Sequence, residues 1–204
     1  MRTVTALFDT YDHAASAVRA LKDAGFSSDD ISIVANNTTG EVSSDDDMDA
    51  GEGAAAGAGV GAVAGGGAGL LAGLGALAIP GIGPVIAGGW LLATAVGAAA
   101  GAAVGGVAGG LLGALANAGV PEEQAHVYAE GVRRGGTLVS VRADDVRADT
   151  ASAILQNAAG VDIDRRRTDY LAEGWRGFDE NDPAYSPEQI RDYRSSYLNV
   201  LPPV

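Results

Sequence analysis

The stretch IPGIGP, Ile79 to Pro84, places two prolines and two glycines within six residues of a segment that is otherwise apolar and free of charge. Pro80, Gly81, Gly83 and Pro84 mark a turn, because proline fixes φ and glycine reaches backbone conformations closed to other residues. What the turn joins is set by its flanks. On the N-terminal side, GAGVGAVAGGGAGLLAG (57–73) repeats glycine at every fourth position, at Gly57, Gly61, Gly65, Gly69 and Gly73. On the C-terminal side the same period returns at Gly97, Gly101, Gly105, Gly109 and Gly113. Two in-register stripes of small residues predict a helical hairpin over 53–119, turning at 79–84, whose backbones approach closely in the manner of GxxxG contacts. Each glycine costs a helix about 1 kcal/mol relative to alanine, so a stripe of them implies packing that offsets the penalty. Four residues overshoot a helical turn by roughly 40°, so each stripe drifts around its helix and presents glycine to more than one neighbour. Self-assembly is the expected consequence.

Other readings of the glycines fail on chemistry. A phosphate-binding Walker loop needs a lysine, and no Asp, Glu, Lys or Arg occurs between Glu52 and Glu122. GAGVGA (57–62) and GLGALA (73–78) match G-x-G-x-x-G/A, but neither directly follows a predicted strand and no acid stands about twenty residues on to hold a ribose. A flexible linker would be rich in serine and aperiodic.

Outside this module the chain reads as a small α/β domain. TVTALFD (3–9) and ISIVAN (31–36) have strand character, and between them Ala14, Ala17, Val18 and Leu21 line one face of a helix capped by Asp12 and ended by Gly25. These make a first half, 1–44, followed by an acidic linker, 45–52. Its DDDMD run lacks the alternating ligands and central glycine of a calcium loop. In the second half, 120–167, Pro121 opens a helix carrying Ala125, Tyr128 and Val132, and TLVSVRA (137–143) is a strand. Asp144 or Asp145 caps a further helix, and VDIDRR (161–166) reads as a last strand. With the module and the Pro121 helix set aside, the order is β-α-β, β-α-β. The fold class is therefore α+β, a ferredoxin-like split β-α-β domain interrupted by the glycine-zipper hairpin. The remainder, 168–204, is a polar, aromatic tail in which the capping box SPEQ (186–189) predicts a short helix near 187–197.

The formal charge of −13 repels nucleic-acid phosphate, and the absence of cysteine removes disulfides, thiolate catalysis and cysteine zinc sites. His13 and His126 lie on predicted helices without catalytic partners. Asp9 and Asp12 could form an acid pair, although Asp12 already serves as a cap. Arg133 and Arg134 suit a helix C-terminus. No catalytic, cofactor-binding or metal-binding residue is expected.

The solvent around the hairpin has two readings. Each arm exceeds the roughly 20 residues that cross a bilayer core and carries no charge. Against insertion, the arms are mostly alanine and glycine, their flanks are acidic, and Trp90 is the only aromatic in the module. The N-terminus has no apolar run of signal-peptide length, so export is not expected. The expected site is thus the cytoplasmic side of the inner membrane, with the bilayer as a partner, or the cytoplasm, with the hairpins buried in one another.

TVTALFDTYDHAASAVRALKDAGFSSDDISIVA, then ALAIPGIGPVIAGG, then GVPEEQAHVYAEGVRRGGTLVSVRADD resemble, in that order, the bacterial general stress protein seventeen-M-like family of heat-induced and low-temperature-induced proteins. The tail GWRGFDENDPAYSPEQIR looks like the extension of its longer members. The resemblance implies an α/β domain interrupted by a glycine-zipper hairpin and expression under stress. It implies no enzyme activity. Together the readings describe a non-enzymatic stress-response protein acting as a homo-oligomer, with a small-ligand sensor as a further alternative and the partner of the tail unspecified.

Overall fold

A computed structural model describes residues 1–41, 75–91, 94 and 110–198. Its elements are β1 (Arg2–Phe8), α1 (Tyr11–Asp23), β2 (Ile31–Asn36), β3 (Gly75–Ile79), β4 (Gly83–Gly89), α2 (Gly110–Asn117), α3 (Glu122–Arg133), β5 (Thr137–Ala143), α4 (Asp145–Asn157), α5 (Ile163–Ala172) and α6 (Pro187–Leu198). The strands form one sheet in the order β1-β5-β2-β4-β3, with every neighbouring pair antiparallel. The class is α+β.

Alternation along the strands sorts side chains to two faces. Phe8, Ile31, Ile33, Val139 and Val141 meet Ala14, Ala17, Val18 and Leu21 of α1 and Ala148, Ala151 and Leu155 of α4. Leu7, Val34, Val85, Ala87 and Leu138 face the other way, toward Leu111 and Leu115 of α2 and Tyr128 and Val132 of α3. Both faces are therefore covered, which is why all six residues of β2 are buried and why its sequence carries no polar-out alternation. Helix α1 is capped by Thr10, whose hydroxyl accepts from the His13 amide, and not by Asp12, which lies in the first turn.

Two further expectations are corrected. The strand expected at 161–166 does not form. Val161 donates its amide to the Leu7 carbonyl at 2.8 Å, one rung on the edge of β1, but the Asp162 side chain then accepts from the amides of Asp164 and Arg165 and starts α5. A strong N-cap overrides the short apolar alternation of Val161 and Ile163. β5 lies between β1 and β2, and the sheet is completed on the other side by β4 and β3.

Those two strands are the second correction, because residues 75–89, expected as the ends of two helical arms, form a β-hairpin. Pro80 and Gly81 occupy the centre of its turn. Gly81 has φ +73°, and the Ile82 amide donates to the Ile79 carbonyl at 3.1 Å, the signature of a type II turn. The flanking Ile79, Val85 and Ile86 are β-branched and prefer the pleated sheet. Ala87 pairs with Val34 and Val85 with Asn36, inserting charge-free sequence into the sheet beside β2. The end of β4 is fixed as well. Ser32 Oγ donates to the Gly88 carbonyl at 2.8 Å, and the Trp90 indole donates to the Asp30 carbonyl at 3.0 Å. Among the described residues no helix is long and apolar enough to cross a membrane.

Candidate functional site

The turn at 80–82 does not face solvent alone. The tail runs across it, and both are tied to the C-terminal end of α3. A Cβ added at Gly81 would stand 2.8 Å from Glu180 Cα and 3.0 Å from the Asp179 carbonyl oxygen, so the tail backbone lies directly against the turn. Asn36 sits buried below it. Its side-chain amide donates to the carbonyls of Ile82 (3.5 Å) and Arg133 (3.4 Å), while its oxygen accepts from the Thr38 amide at 2.9 Å.

The fastening is mostly ionic. Glu130, buried on α3, accepts from Arg133 Nη1 at 3.3 Å and from Arg134 Nε at 2.7 Å. Each arginine then reaches into the tail. Arg133 contacts Asp182 at 3.3 Å, donates to the Pro183 carbonyl at 3.0 Å and stacks over Tyr185. Arg134 pairs with Glu173 and lies 4.2 Å from the Tyr170 ring centroid and 4.9 Å from that of Tyr193. Arg166 holds Asp9 through both carboxylate oxygens, at 2.8 and 3.0 Å, and covers Tyr197. Arg194 donates to the Gly135 carbonyl and pairs with Glu41.

Burial alone would lower the pKa of Arg134, but its bonds to Glu130 and Glu173 outweigh that and hold the guanidinium more firmly protonated than usual. Asp9 does the same for Arg166. Burial pushes the Tyr170 and Tyr193 phenols upward, so both stay neutral. One more fastening is neutral: His126 Nδ1 accepts from the Phe178 amide at 3.1 Å. Within the tail, Ser186 and Gln189 exchange the reciprocal bonds of a capping box that opens α6. These charges are engaged with one another, and the arrangement fastens segments together rather than presenting a nucleophile beside a base. No group of three or more His, Asp or Glu able to hold a metal occurs among the described residues.

Of the residues expected to form the turn, Pro80 and Gly81 lie in it beneath the tail, whereas Gly83 and Pro84 already belong to β4, paired with Ile79 and Ala78. Gly113 lies buried in α2. Gly57, Gly61, Gly65, Gly69, Gly73, Gly97, Gly101, Gly105 and Gly109, with the linker 45–52, lie outside the described residues. Asp9 pairs with Arg166 and not with Asp12. The Glu130, Arg133, Arg134 cluster was not anticipated. Its signal is present, since Glu130 lies three and four residues before two arginines on a helix, a spacing that places them together.

Residues 3–79 match the family model of the heat induced stress protein YflT domain. This stretch is similar to a heat-induced stress-protein domain. The match covers β1, α1, β2 and β3 and ends at Ile79, one residue before the turn centre. β4, the two helices on the second face, β5 and the whole tail lie beyond it, so the clasp is built largely from residues outside the YflT match. The YflT domain is not a known enzyme family. No curated protein and no solved structure matches the chain.

Proposed function

We propose that the chain is a non-enzymatic stress-response protein that self-assembles through its Gly/Ala segments, with the α/β body and its clasp as the platform carrying them. The stress role follows from the YflT match. The assembly role rests on the two glycine stripes, Gly57 to Gly73 and Gly97 to Gly113, whose fourfold period has no use in a linker.

The observation that carries the choice of solvent is the hairpin. Because β3 and β4 belong to the sheet, the glycine-rich intervals each begin and end on the same folded body: one runs from Glu41 to Gly75, the other from Leu91 to Gly110. A passage through a bilayer would have to return, and two crossings need roughly 40 residues. Both intervals are shorter than that. Gly113, the last member of the second stripe, is also occupied in α2 against the core. This favours association of the segments with those of other copies, or at a membrane surface, over a spanning hairpin. Fractionation of cells expressing the full chain is the test. Recovery in the supernatant, or release by high salt, supports the reading; release by detergent alone contradicts it.

A further inference from the structure

We propose that residues 173–194 are an ionic latch that holds the β3–β4 hairpin and is opened by ionic strength. The latch is charge-fastened in a repeated pattern. In Arg134–Glu173, Arg133–Asp182 and Arg194–Glu41 a largely buried guanidinium meets a carboxylate that is 47%, 53% and 56% exposed. Pairs with one partner in water are screened by salt, since the Debye length falls from about 10 Å at 0.1 M to about 3 Å at 1 M. Fully buried apolar side chains over the same stretch are limited to Phe178 and Ile190, with Trp175 and Tyr193 partly buried against the Tyr170 ring. A segment with few buried apolar contacts belongs to the part of a fold that opens first.

Glu130 makes the open state accessible. It bonds both Arg133 and Arg134 from within α3, so lifting Glu173 and Asp182 away does not leave two buried cations without a counter-charge. What the latch restrains is specific. Its Asp179–Glu180 backbone lies on Gly81, Ala184 lies against Gly83, and Arg194 holds Glu41, the residue from which the chain departs toward the first glycine stripe. Opening therefore frees the turn between the two glycine-rich intervals and the start of the first one. The latch stands on these contacts whether or not the segments assemble.

Amide hydrogen exchange on the full-length chain tests it. The Ile82 amide, bonded across the turn, and the Asn37 amide, bonded to the Pro84 carbonyl, are the reporters; the Ile33 and Val139 amides in the sheet centre are the controls. Going from 0.05 to 1 M NaCl should speed the reporters about tenfold and leave the controls unchanged. Glu173→Gln with Asp182→Asn should give the fast rate at both salt concentrations, and Glu41→Gln, at an exposed position, a smaller change in the same direction. Reporters that follow the controls at every salt concentration, or charge-neutralised variants that exchange like the wild type, overturn the latch.

Discussion

Gly81 and Glu180 touch backbone to backbone: a Cβ on the glycine would lie 2.8 Å from the glutamate Cα. The turn of the β-hairpin and the tail are thus shaped to each other, although 99 positions separate them in sequence. Gly81 also has φ +73°, so any other residue there meets two penalties, a left-handed backbone and a clash that no side-chain rotation relieves.

Gly81→Ala should accordingly destabilise the protein by about 2–4 kcal/mol. Gly40→Ala is the control. It has a similar φ of +70° but nothing within 4 Å of its would-be Cβ, and should cost about 1 kcal/mol. Urea melts of the two variants should separate by at least 1 kcal/mol; equal losses would show that the tail does not constrain the turn.

Glu130 and Glu173 both bond Arg134, yet they are not equivalent. Glu130 is buried and holds two guanidinia, so Glu130→Ala should cost about 3–5 kcal/mol by leaving buried cations short of charge. Glu173 is 47% exposed, so Glu173→Ala should cost no more than about 1 kcal/mol. Chemical denaturation of both variants checks the ranking, and a larger loss at Glu173 would contradict it.

Tyr128 donates its hydroxyl to the Thr5 carbonyl at 2.9 Å, and burial first, with Asp164 adding to it, pushes its pKa up to about 12. A raised folded pKa means that between about pH 10 and 12 the unfolded chain releases the phenolic proton while the folded chain keeps it. Stability should therefore fall with rising pH across that window, by up to about 3 kcal/mol from this residue. Tyr128→Phe should lose about 1 kcal/mol at neutral pH and show a shallower alkaline slope, with Tyr170 and Tyr193, shifted in the same direction, supplying the remainder. An unchanged slope in thermal melts taken at pH 9 to 12 would rule this out.

Much of the body was legible in the sequence. The apolar spacing of Ala14, Ala17, Val18 and Leu21 marks α1, and SPEQ marks the start of α6, because period and capping are local signals. Two regions differ from the sequence expectation for opposite reasons. At Asp162 a local signal, the cap, is stronger than the alternation that suggested a strand. Around Pro80 the surrounding glycine period suggested helix, while the deciding interactions are long-range: Val85 and Ala87 pair with β2, some fifty residues earlier in the chain. The clasp was hidden for a similar reason. Arg133 and Arg134 read as cations at a helix end, and only the path of the tail brings Glu173 and Asp182 to them.

The claim that the Gly/Ala segments assemble copies of this chain is tested most directly by the solution mass of the full-length protein, without detergent, beside a Gly65→Leu, Gly105→Leu variant. The wild type should run at a discrete multiple of 20.3 kDa and the variant at the single-chain mass, with the fold unchanged by circular dichroism. A monomeric wild type, or a variant that keeps the wild-type mass, would contradict it.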